Sequence, residues 1–362
     1  MSELCEECGV SRKTGYKWYH RYLEGGAAAL HDQSRSPQNP SRKYSEEVMA
    51  EALELKLKHL AYGPKKIRAM LKRRFPDREW PSATRLYEVF KEHHLVCPRK
   101  LRRRVPRTHP LGELNESNDV WCADFKGRIL TGDGSTYEPL TITDGFSRFA
   151  IRCAHLERKT FEEVWRVYTD AFEEYGLPHR IRTDNGPPFA STSAGRLSRL
   201  AINLVKVGIK PEWIKPGHPE ESGRHERFHR SLKAETASPP AFTFAAQAQR
   251  TEVFVEEYNF ERPHEALDLE VPGSVYVPST RIWDGILRSP EYDTSRMEVR
   301  KVCRNGCIHW KRMNCYVGQV LTGEYIGLQP VGDGKLQAYY GPVWLGTVFE
   351  GEGFEVPILK RR

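Results

Sequence analysis

The stretch "RIRTDNGPPFA", Arg180 to Ala190, restricts the fold more than any other part of the chain. It reads as a strand that ends in Asp184-Asn185-Gly186. Asn-Gly between strands is a strong hairpin signal, but a hairpin needs a second strand straight after the turn. Pro187 and Pro188 have no amide hydrogen to give a ladder, and they steer the chain off the sheet. The strand therefore does not return on itself. Asp184 is left at a carboxyl end, where open α/β sheets hold their ligands. A plain turn residue is the competing reading, and the partners of Asp184 must decide between the two.

Length and charge bound the rest. A chain of 362 residues suits about two to four domains. Hydrophobic residues make up 39%, enough for a core, while 29% charge and a net charge of +8 are high for an ordinary enzyme. The charge is uneven: residues 1–110 hold 24 Lys/Arg against 13 Asp/Glu, and the remainder 32 against 35. A basic first third ahead of a near-neutral body suggests a polyanion-binding module joined to something else, with a solvated basic face as the plainer alternative. No run of 18 apolar residues occurs and "MSELCEECGV" lacks a signal peptide's apolar stretch, so a soluble, intracellular protein is expected. Eight cysteines spread over this length do not form a disulfide framework pattern.

The basic third divides in two. "SELCEECGVSRKTGYKWYHRYLEGG" gives two short helical patterns broken at Gly9, with Leu4 and Cys8 packing on the first and Tyr16, Tyr19 and Leu23 lining the second. Ser11 is an N-cap candidate, and Arg12, Lys13 and Lys17 lie early on the second helix, where a helix-turn-helix reads the major groove. A helical hairpin with a basic solvent face is the alternative. Residues 31–44 read as a Ser/Pro/Arg-rich linker. Residues 45–96 hold three further helical patterns, basic on the last two through Lys65, Lys66 and Arg85, and read as a second helix-turn-helix-like domain. The connector 97–114, with Arg102, Arg103 and Arg104, suits a phosphate backbone.

From Val120 the pattern changes to strands: "VWCADFKGRIL", "YEPLTITDGFSRFAIRCAHL", then a helix "TFEEVWRVYTDAFEEYG", then "PHRIRTDNG". This is an α/β core. "ERFHRSLKAE" and "FAAQAQRTEVFVEEYNF" read as helices, and from about Thr280 short strands with Gly turns suggest a small all-β barrel. Asp124 interrupts the first apolar strand, where a carboxylate is costly unless solvated, paired or metal-bound. Glu226 opens a helix with Arg230 and Lys233 on its face; a surface ion pair is the plain alternative, and Glu220 and Glu221 compete from the loop before it. Two strand aspartates and one helix glutamate can hold two Mg²⁺, which take few carboxylates and keep other positions for water and phosphate oxygens. Such an ion pair serves in-line phosphoryl transfer.

"WCADFKG", "TDNGPPF" and "GRHERFHRSLKAE" resemble the three signatures of insertion-sequence transposases with a retroviral-integrase type of DDE core. Asp124, Asp184 and Glu226 match the family triad residue by residue, with 41 residues between the last two. Glu226 is chosen because the family's glutamate stands seven residues before the helix lysine, here Lys233. "GVSRKTGYKWYHRY", "GPKKIRAML" and "YNFERPHEALDLEVPGSVYVPS" resemble flanking family segments. The resemblance implies a multidomain α+β chain: helix-turn-helix modules that recognise transposon ends, an RNase H-like integrase core over 115–278, and a small β-barrel over 279–362. It further implies two Mg²⁺ (Mn²⁺ as substitute), double-stranded DNA as partner for both ends and target, and a homo-oligomer on DNA. No membrane and no small-molecule substrate are implied, and the setting is the bacterial cytoplasm with the nucleoid. Arg224, Arg227, Arg230 and Lys233 are expected on phosphates beside the site. One departure is that the family's first module has a helix before "SELCEECG", so residues 1–30 are expected to be incomplete. A simple metal-dependent nuclease and a non-catalytic DNA-binding regulator descended from a transposase are the competing functions.

Other signals are weaker. Cys5 and Cys8 have zinc-like spacing that His20 and His31 could complete, but the family match there is to a helix-turn-helix; Cys303 and Cys307 have spacing alone. His218, His225 and His229 could touch phosphate or assist proton transfer, or form a wet rim. Asp144 in "TITDGFSRF" reads as a turn former for Gly145.

Overall fold

The structure is a computed structural model that describes residues 1–32, 44–96, 114–214, 223–350 and 353–356. The chain forms two units, residues 1–51 and 52–362. In the first, α1 (Ser2–Glu7) is followed by α2 (Arg12–Gly25), where the Ser11 side chain accepts from Thr14 N–H at 3.2 Å, as its capping role requires. The expected packing is corrected here. Cys5 is the buried side chain, and it lies so close to Gly15 that no Cβ fits there. Leu4, Tyr16, Tyr19 and Leu23 are all exposed, because this short hairpin has room for one inward side chain. The linker expected over 31–44 falls mostly outside the described residues.

The second helical segment comprises α3 (Glu46–Lys58), α4 (Pro64–Arg74) and α5 (Ala83–Glu92). Ile67, Leu71, Leu86, Val89 and Phe90 are buried, as the apolar stripes predict. Ser82 caps α5 by accepting from Arg85 N–H.

In the core, β1 (Val120–Phe125) is followed by the ribbon β2 (Ile129–Leu130) and β3 (Thr136–Tyr137), then β4 (Pro139–Asp144) and β5 (Ala150–His155). Helix α6 (Phe161–Tyr175), capped by Thr160, leads to β6 (Arg180–Thr183); α7 (Arg199–Lys206) leads to β7 (Lys210–Trp213). The sheet order is β5-β4-β1-β6-β7, with β4 antiparallel to β1 and β5, and with β1, β6 and β7 parallel. This is the mixed α/β core that the strand and helix pattern predicts. The non-returning turn after Thr183 leads through α7 to β7, which therefore runs parallel to β6.

Alternation sorts the sheet's two faces. Trp121, Ala123, Leu140, Ile142 and Ile181 pack against Val164, Tyr168 and Phe172 of α6 and Leu204 of α7. The other face carries Asp124, Thr141 and Thr143 and is covered by α8 (Gly223–Thr236), whose Phe228 and Leu232 form a second cluster with Phe254 and Tyr258 of α9 (Phe244–Phe260) and with Ala150. Asn259 fastens α9 to β5, its amide nitrogen donating to Ala150 O at 3.0 Å and its Oδ1 accepting from Ala150 N–H at 2.8 Å.

A short helix, α10 (Pro272–Val275), precedes the C-terminal strands: β8 (Glu298–Lys301), β9 (Cys307–Trp310), β10 (Met313–Tyr316), β11 (Tyr325–Gly332), β12 (Lys335–Tyr340), β13 (Val343–Phe349) and β14 (Gly353–Glu355). These make an open five-stranded sheet, β14-β13-β12-β11-β8, and a separate β9–β10 hairpin. The expected barrel is thus not closed among the described residues. Short β8 and β14 remain edges, while Ile308, Trp310, Ile326, Leu328, Ala338 and Leu345 share one core.

A buried polar cluster joins α4 to α8 and α9. Arg262 donates to Glu235 Oε1 and to Ser231 Oγ and stacks over the Tyr62 ring at 4.7 Å. Lys66 lies 5.5 Å from the same ring and its pKa falls to about 8, through burial first and then Arg262. His264 packs edge-on to Tyr258 at 4.8 Å, and burial, then Lys66 and Arg262, press its pKa down to about 3.

Two outcomes test this architecture. Phe228→Ala should lower the unfolding free energy by about 3–5 kcal/mol in urea and speed amide exchange along α8. A loss below about 1 kcal/mol would mean that other contacts hold the helix. His264 is neutral in the folded chain down to about pH 3 but takes a proton near 6.5 when unfolded. Its contribution is complete above 6.5 and drains away as pH falls toward 3, at up to about 1.4 kcal/mol per pH unit. His264→Gln should flatten that acid limb in a pH series of denaturant titrations.

Candidate active site

Asp124 and Asp184 meet through strand register. β1 and β6 pair Val120 with Arg180, Trp121 with Ile181 and Cys122 with Arg182; two further residues along the same line stand Asp124 and Asp184. Both come at the carboxyl ends of parallel strands, and both are partly exposed. Asp184 Oδ1 accepts from Gly186 N–H at 3.1 Å, so the Asp-Asn-Gly turn holds its carboxylate. Asn185 extends the hold, donating to Ile214 O at 2.8 Å.

The Asp124 pKa is pushed up to about 6, by burial first and by the charge of Asp184 second; Lys126 and Lys159 pull weakly the other way. Two neighbouring oxygen-donor carboxylates beside solvent, with the charge of one opposing ionisation of Asp124, suit a hard divalent cation, which removes the repulsion. The donor set therefore fits Mg²⁺ or Mn²⁺.

Helix α8 lies over this end of the sheet, and its inward face is polar as well as apolar. His225 is buried, its Nε2 2.7 Å from Thr141 Oγ1 and its Nδ1 2.8 Å from Thr143 Oγ1. His229 Nε2 also sits 2.7 Å from Thr141 Oγ1, while its Nδ1 faces Asp124 Oδ2 at 3.9 Å. Burial drives the His225 pKa well below the usual imidazole value, and burial and then Lys126 bring His229 to about 4. Both rings are neutral near pH 7, so the 3.9 Å contact is not an ion pair. These two histidines are structural neighbours of the site and not a wet rim. His218 lies outside the described residues.

Glu226 lies in the first turn of α8, exposed, three residues ahead of His229. It makes no hydrogen bond or ion pair among the described residues, which leaves it available and rules out the surface pair with Arg230. The structure brings the two aspartates together but does not gather Glu226 with them. Among the described residues no three His, Cys, Asp or Glu side chains converge as a metal-binding group, the cysteine spacings included. Glu220 and Glu221 lie outside the described residues.

The expected cationic residues divide. Arg12, Lys13 and Lys17 are exposed early on α2, and Lys65, Arg227, Arg230 and Lys233 are exposed. Lys66 is corrected: it belongs to the buried Tyr62–Arg262 cluster. Arg224 turns back to donate to Gly145 O at 3.0 Å, and Arg85 pairs with Glu88 at 3.1 Å on its own helix. Arg102, Arg103 and Arg104 lie outside the described residues. Two lysines the sequence reading missed stand nearer the aspartates. Lys126 senses both Asp124 and Lys233, and Lys159 lies 4.5 Å over the Phe125 ring and 2.6 Å from Glu138. Their only sequence signal is that Lys126 follows the Asp124 strand at once.

Asp144 does hold its turn, and more. One carboxylate oxygen accepts from Ser147 N–H and Ser147 O–H at 2.7 Å, the other from Asn118 N–H at 2.8 Å. A Cβ at Gly145 would come within 2.9 Å of Val120 O, so only glycine fits beside it.

An integrase core domain model matches residues 115–219, a second integrase core model matches 207–272, and a homeodomain-like domain model matches 14–90. The insertion element IS476 protein of Xanthomonas euvesicatoria is 28% identical over 226 residues, covering 60% of this chain and 61% of its own length. The insertion element IS407 protein of Burkholderia multivorans is 25% identical over 231 residues, covering 63% and 80%. The chain is thus similar to insertion-element proteins, and its residues 115–272 match integrase core models. It spans about three fifths of the length of the IS476 relative. Among solved structures, the HTLV-2 integrase catalytic core with magnesium resembles 45% of this chain and 98% of its own at 17% identity and a TM-score of 0.36. A simian T-cell lymphotropic virus intasome chain resembles 86% and 100% at 16% and 0.40. Both candidate aspartates and Glu226 fall within the integrase-core matches.

The cation fit is tested without turnover. Millimolar Mg²⁺ should raise the melting temperature of the wild-type integrase core, by the equivalent of about 2.7 kcal/mol at a hundredfold excess over its dissociation constant. Asp124→Asn and Asp184→Asn should each abolish the shift; an unchanged shift in both would move the ion elsewhere.

Proposed function

We propose that this chain is a DNA transposase that cuts the 3′ ends of a mobile element and joins them to target DNA, with Asp124, Asp184 and Glu226 as its catalytic carboxylates. The observation that carries the reading is the adjacency of Asp124 and Asp184 at the ends of parallel β1 and β6, inside an integrase-core match, with α8 packed beside them through His225 and His229.

Each reaction step is the same exchange at phosphorus. An attacking oxygen forms a new P–O bond as the opposite P–O ester bond breaks, first with water and then with the freed 3′-OH. When bound, two Mg²⁺ (or Mn²⁺) would supply charge compensation to the entering and leaving oxygens. The two aspartates hold their carboxylates at fixed separation because both leave rigid strands. Glu226 completes the donor set from a helix that Phe228 and Leu232 anchor. Lys126, Lys159 and Lys233 offset the carboxylates' repulsion of a phosphate backbone, each adding a salt-dependent increment of affinity. No covalent protein–DNA intermediate is needed.

The rest of the chain fits double-stranded DNA as partner. Arg12, Lys13 and Lys17 lie early on α2, where a recognition helix meets the groove, and Lys65 and Arg230 are exposed cations of the second unit. Residues 1–30, 45–96, 115–278 and 279–362 are the domains this reading uses, the last a small barrel left open at its edges. Holding two element ends together calls for a homo-oligomer on DNA, in a bacterial cytoplasm on the nucleoid.

Purified protein, Mg²⁺ or Mn²⁺ and the element's own end DNA test the proposal in a strand-transfer assay. Wild type should give joined products, and Asp124→Asn, Asp184→Asn and Glu226→Gln should each fall below about 1% of it. Cleavage without joining would indicate a nuclease, and DNA binding without any product a regulator. Equal product from wild type and Glu226→Gln would point to Glu220 or Glu221.

A further inference from the structure

Thr141 Oγ1 has three polar neighbours and one hydrogen. It donates that hydrogen to Asp124 O at 2.9 Å, which leaves only lone pairs for His225 Nε2 and His229 Nε2, each 2.7 Å away. Both imidazoles must therefore carry their hydrogen on Nε2 and donate to Thr141. His225 Nδ1 is then an acceptor, and Thr143 Oγ1–H donates to it at 2.8 Å. The network closes with every buried hydrogen assigned.

The consequence falls on His229. Its Nδ1 is an unprotonated lone pair facing Asp124 Oδ2 at 3.9 Å. Two acceptors face each other, too far apart to bond and with like polarity. A water oxygen at about 2.8 Å from each fits the gap and resolves the repulsion by donating one hydrogen to each. The two side chains keep 13% and 35% exposure, so a solvent oxygen reaches them. The ring cannot turn over to offer its other edge without giving up Thr141.

We infer that His229 Nδ1 accepts the hydrogen of the attacking oxygen beside Asp124 and so orients the nucleophile's lone pair toward phosphorus. A water donates one hydrogen to His229 and the other to Asp124; a 3′-OH donates its single hydrogen to His229. The same acceptor thus serves cleavage and joining. Thr141 and His225 are positioning residues that fix the ring's hydrogen on Nε2. This inference rests on the transposase reading of the site.

Asparagine and glutamine separate the atoms of histidine. The Asn side-chain oxygen reaches the Nδ1 position, and Gln reaches the Nε2 position. In the full chain on end DNA, His229→Gln should lower kcat by about 100-fold with KM within about twofold, while His229→Asn stays within about tenfold of wild type. Equal activity of the two variants, or a loss confined to KM, overturns the inference. A measurement on the unaltered protein stands beside it: with ¹⁵N-histidine labelling, His229 should show a protonated Nε2 and a bare Nδ1 whose resonance moves when Mg²⁺ is added. A protonated Nδ1 overturns the inference even if the variants fail to fold. Asp124→Asn keeps the two failures apart. Product from that variant equal to wild type sinks the carboxylate reading, whereas an inactive Asp124→Asn beside a fully active His229→Gln sinks the role of His229 alone.

Discussion

The parallel register between β1 and β6 is the constraint on which the rest depends. Cys122 opposite Arg182 sets Asp124 beside Asp184, and the two-residue alternation turns both toward the α8 face. A slip of one residue would send one aspartate into the apolar cluster around Trp121 and Phe172. The register is secured from both sides. Trp121 and Ile181 are fully buried on one face, and Arg182 pairs with Glu212 of β7 at 2.9 Å on the other. Burying a Trp and an Ile contributes more than an ion pair whose partners are both largely withdrawn from water, since desolvation offsets much of the pair's attraction, so the apolar side fixes the alignment and the ion pair refines it.

The helix over the site is held by two chemistries of different kinds. Phe228 and Leu232 give α8 its attachment to α9 and β5, while His225 and His229 define its rotation through Thr141 and Thr143. Apolar burial alone tolerates some sliding; hydrogen bonds to two neighbouring threonines of one strand do not. Thr141 pairs directly with Asp124 in the β1–β4 register, so the hydroxyl that orients the helix also touches the backbone of the strand that carries Asp124. Farther along α8, Glu235 binds Arg262, which stacks on Tyr62 ahead of α4. The helix that carries Glu226 is therefore also the one on which the basic helical segment docks.

Much of this was legible in the sequence, and the gaps have physical causes. The prolines after Asp184 gave a strand that could not return, and the apolar run around Asp124 gave its partner strand. β7 was not read because "KPEW" has neither alternation nor an apolar run; Pro211 is tolerated there because β7 is the sheet's edge. The roles of His225, His229 and Lys66 were hidden for another reason. Periodicity reports which apolar residues face inward, but a polar residue is buried only if a distant segment supplies its partner, and Thr141 lies more than eighty residues from His225. Cys5 and Leu4 were exchanged because a six-residue helix spans too few turns for a stripe to be defined. The open edges of the C-terminal sheet depend on strand pairing between ends, which short Gly-punctuated strands do not encode.

Electrostatics explains why a chain of net charge +8 keeps its aspartates so poorly neutralised. Lys126 and Lys159 act on Asp124, yet burial and Asp184 outweigh them and its pKa still rises. Had the lysines dominated, the carboxylates would be satisfied by the protein and would have little left to offer a cation. Had they been absent, the paired negative charges would repel a phosphate backbone before any cation arrived. Lys159 is held back by Glu138 and by the face of Phe125, and Lys126 by the neighbouring charge of Lys233. The balance leaves a local excess of negative charge between the two strand ends, with Lys126 and Lys159 close enough to act on Asp124. That division of charge is what a site must keep if metal and nucleic acid are both to enter it and neither is to be replaced by the protein itself.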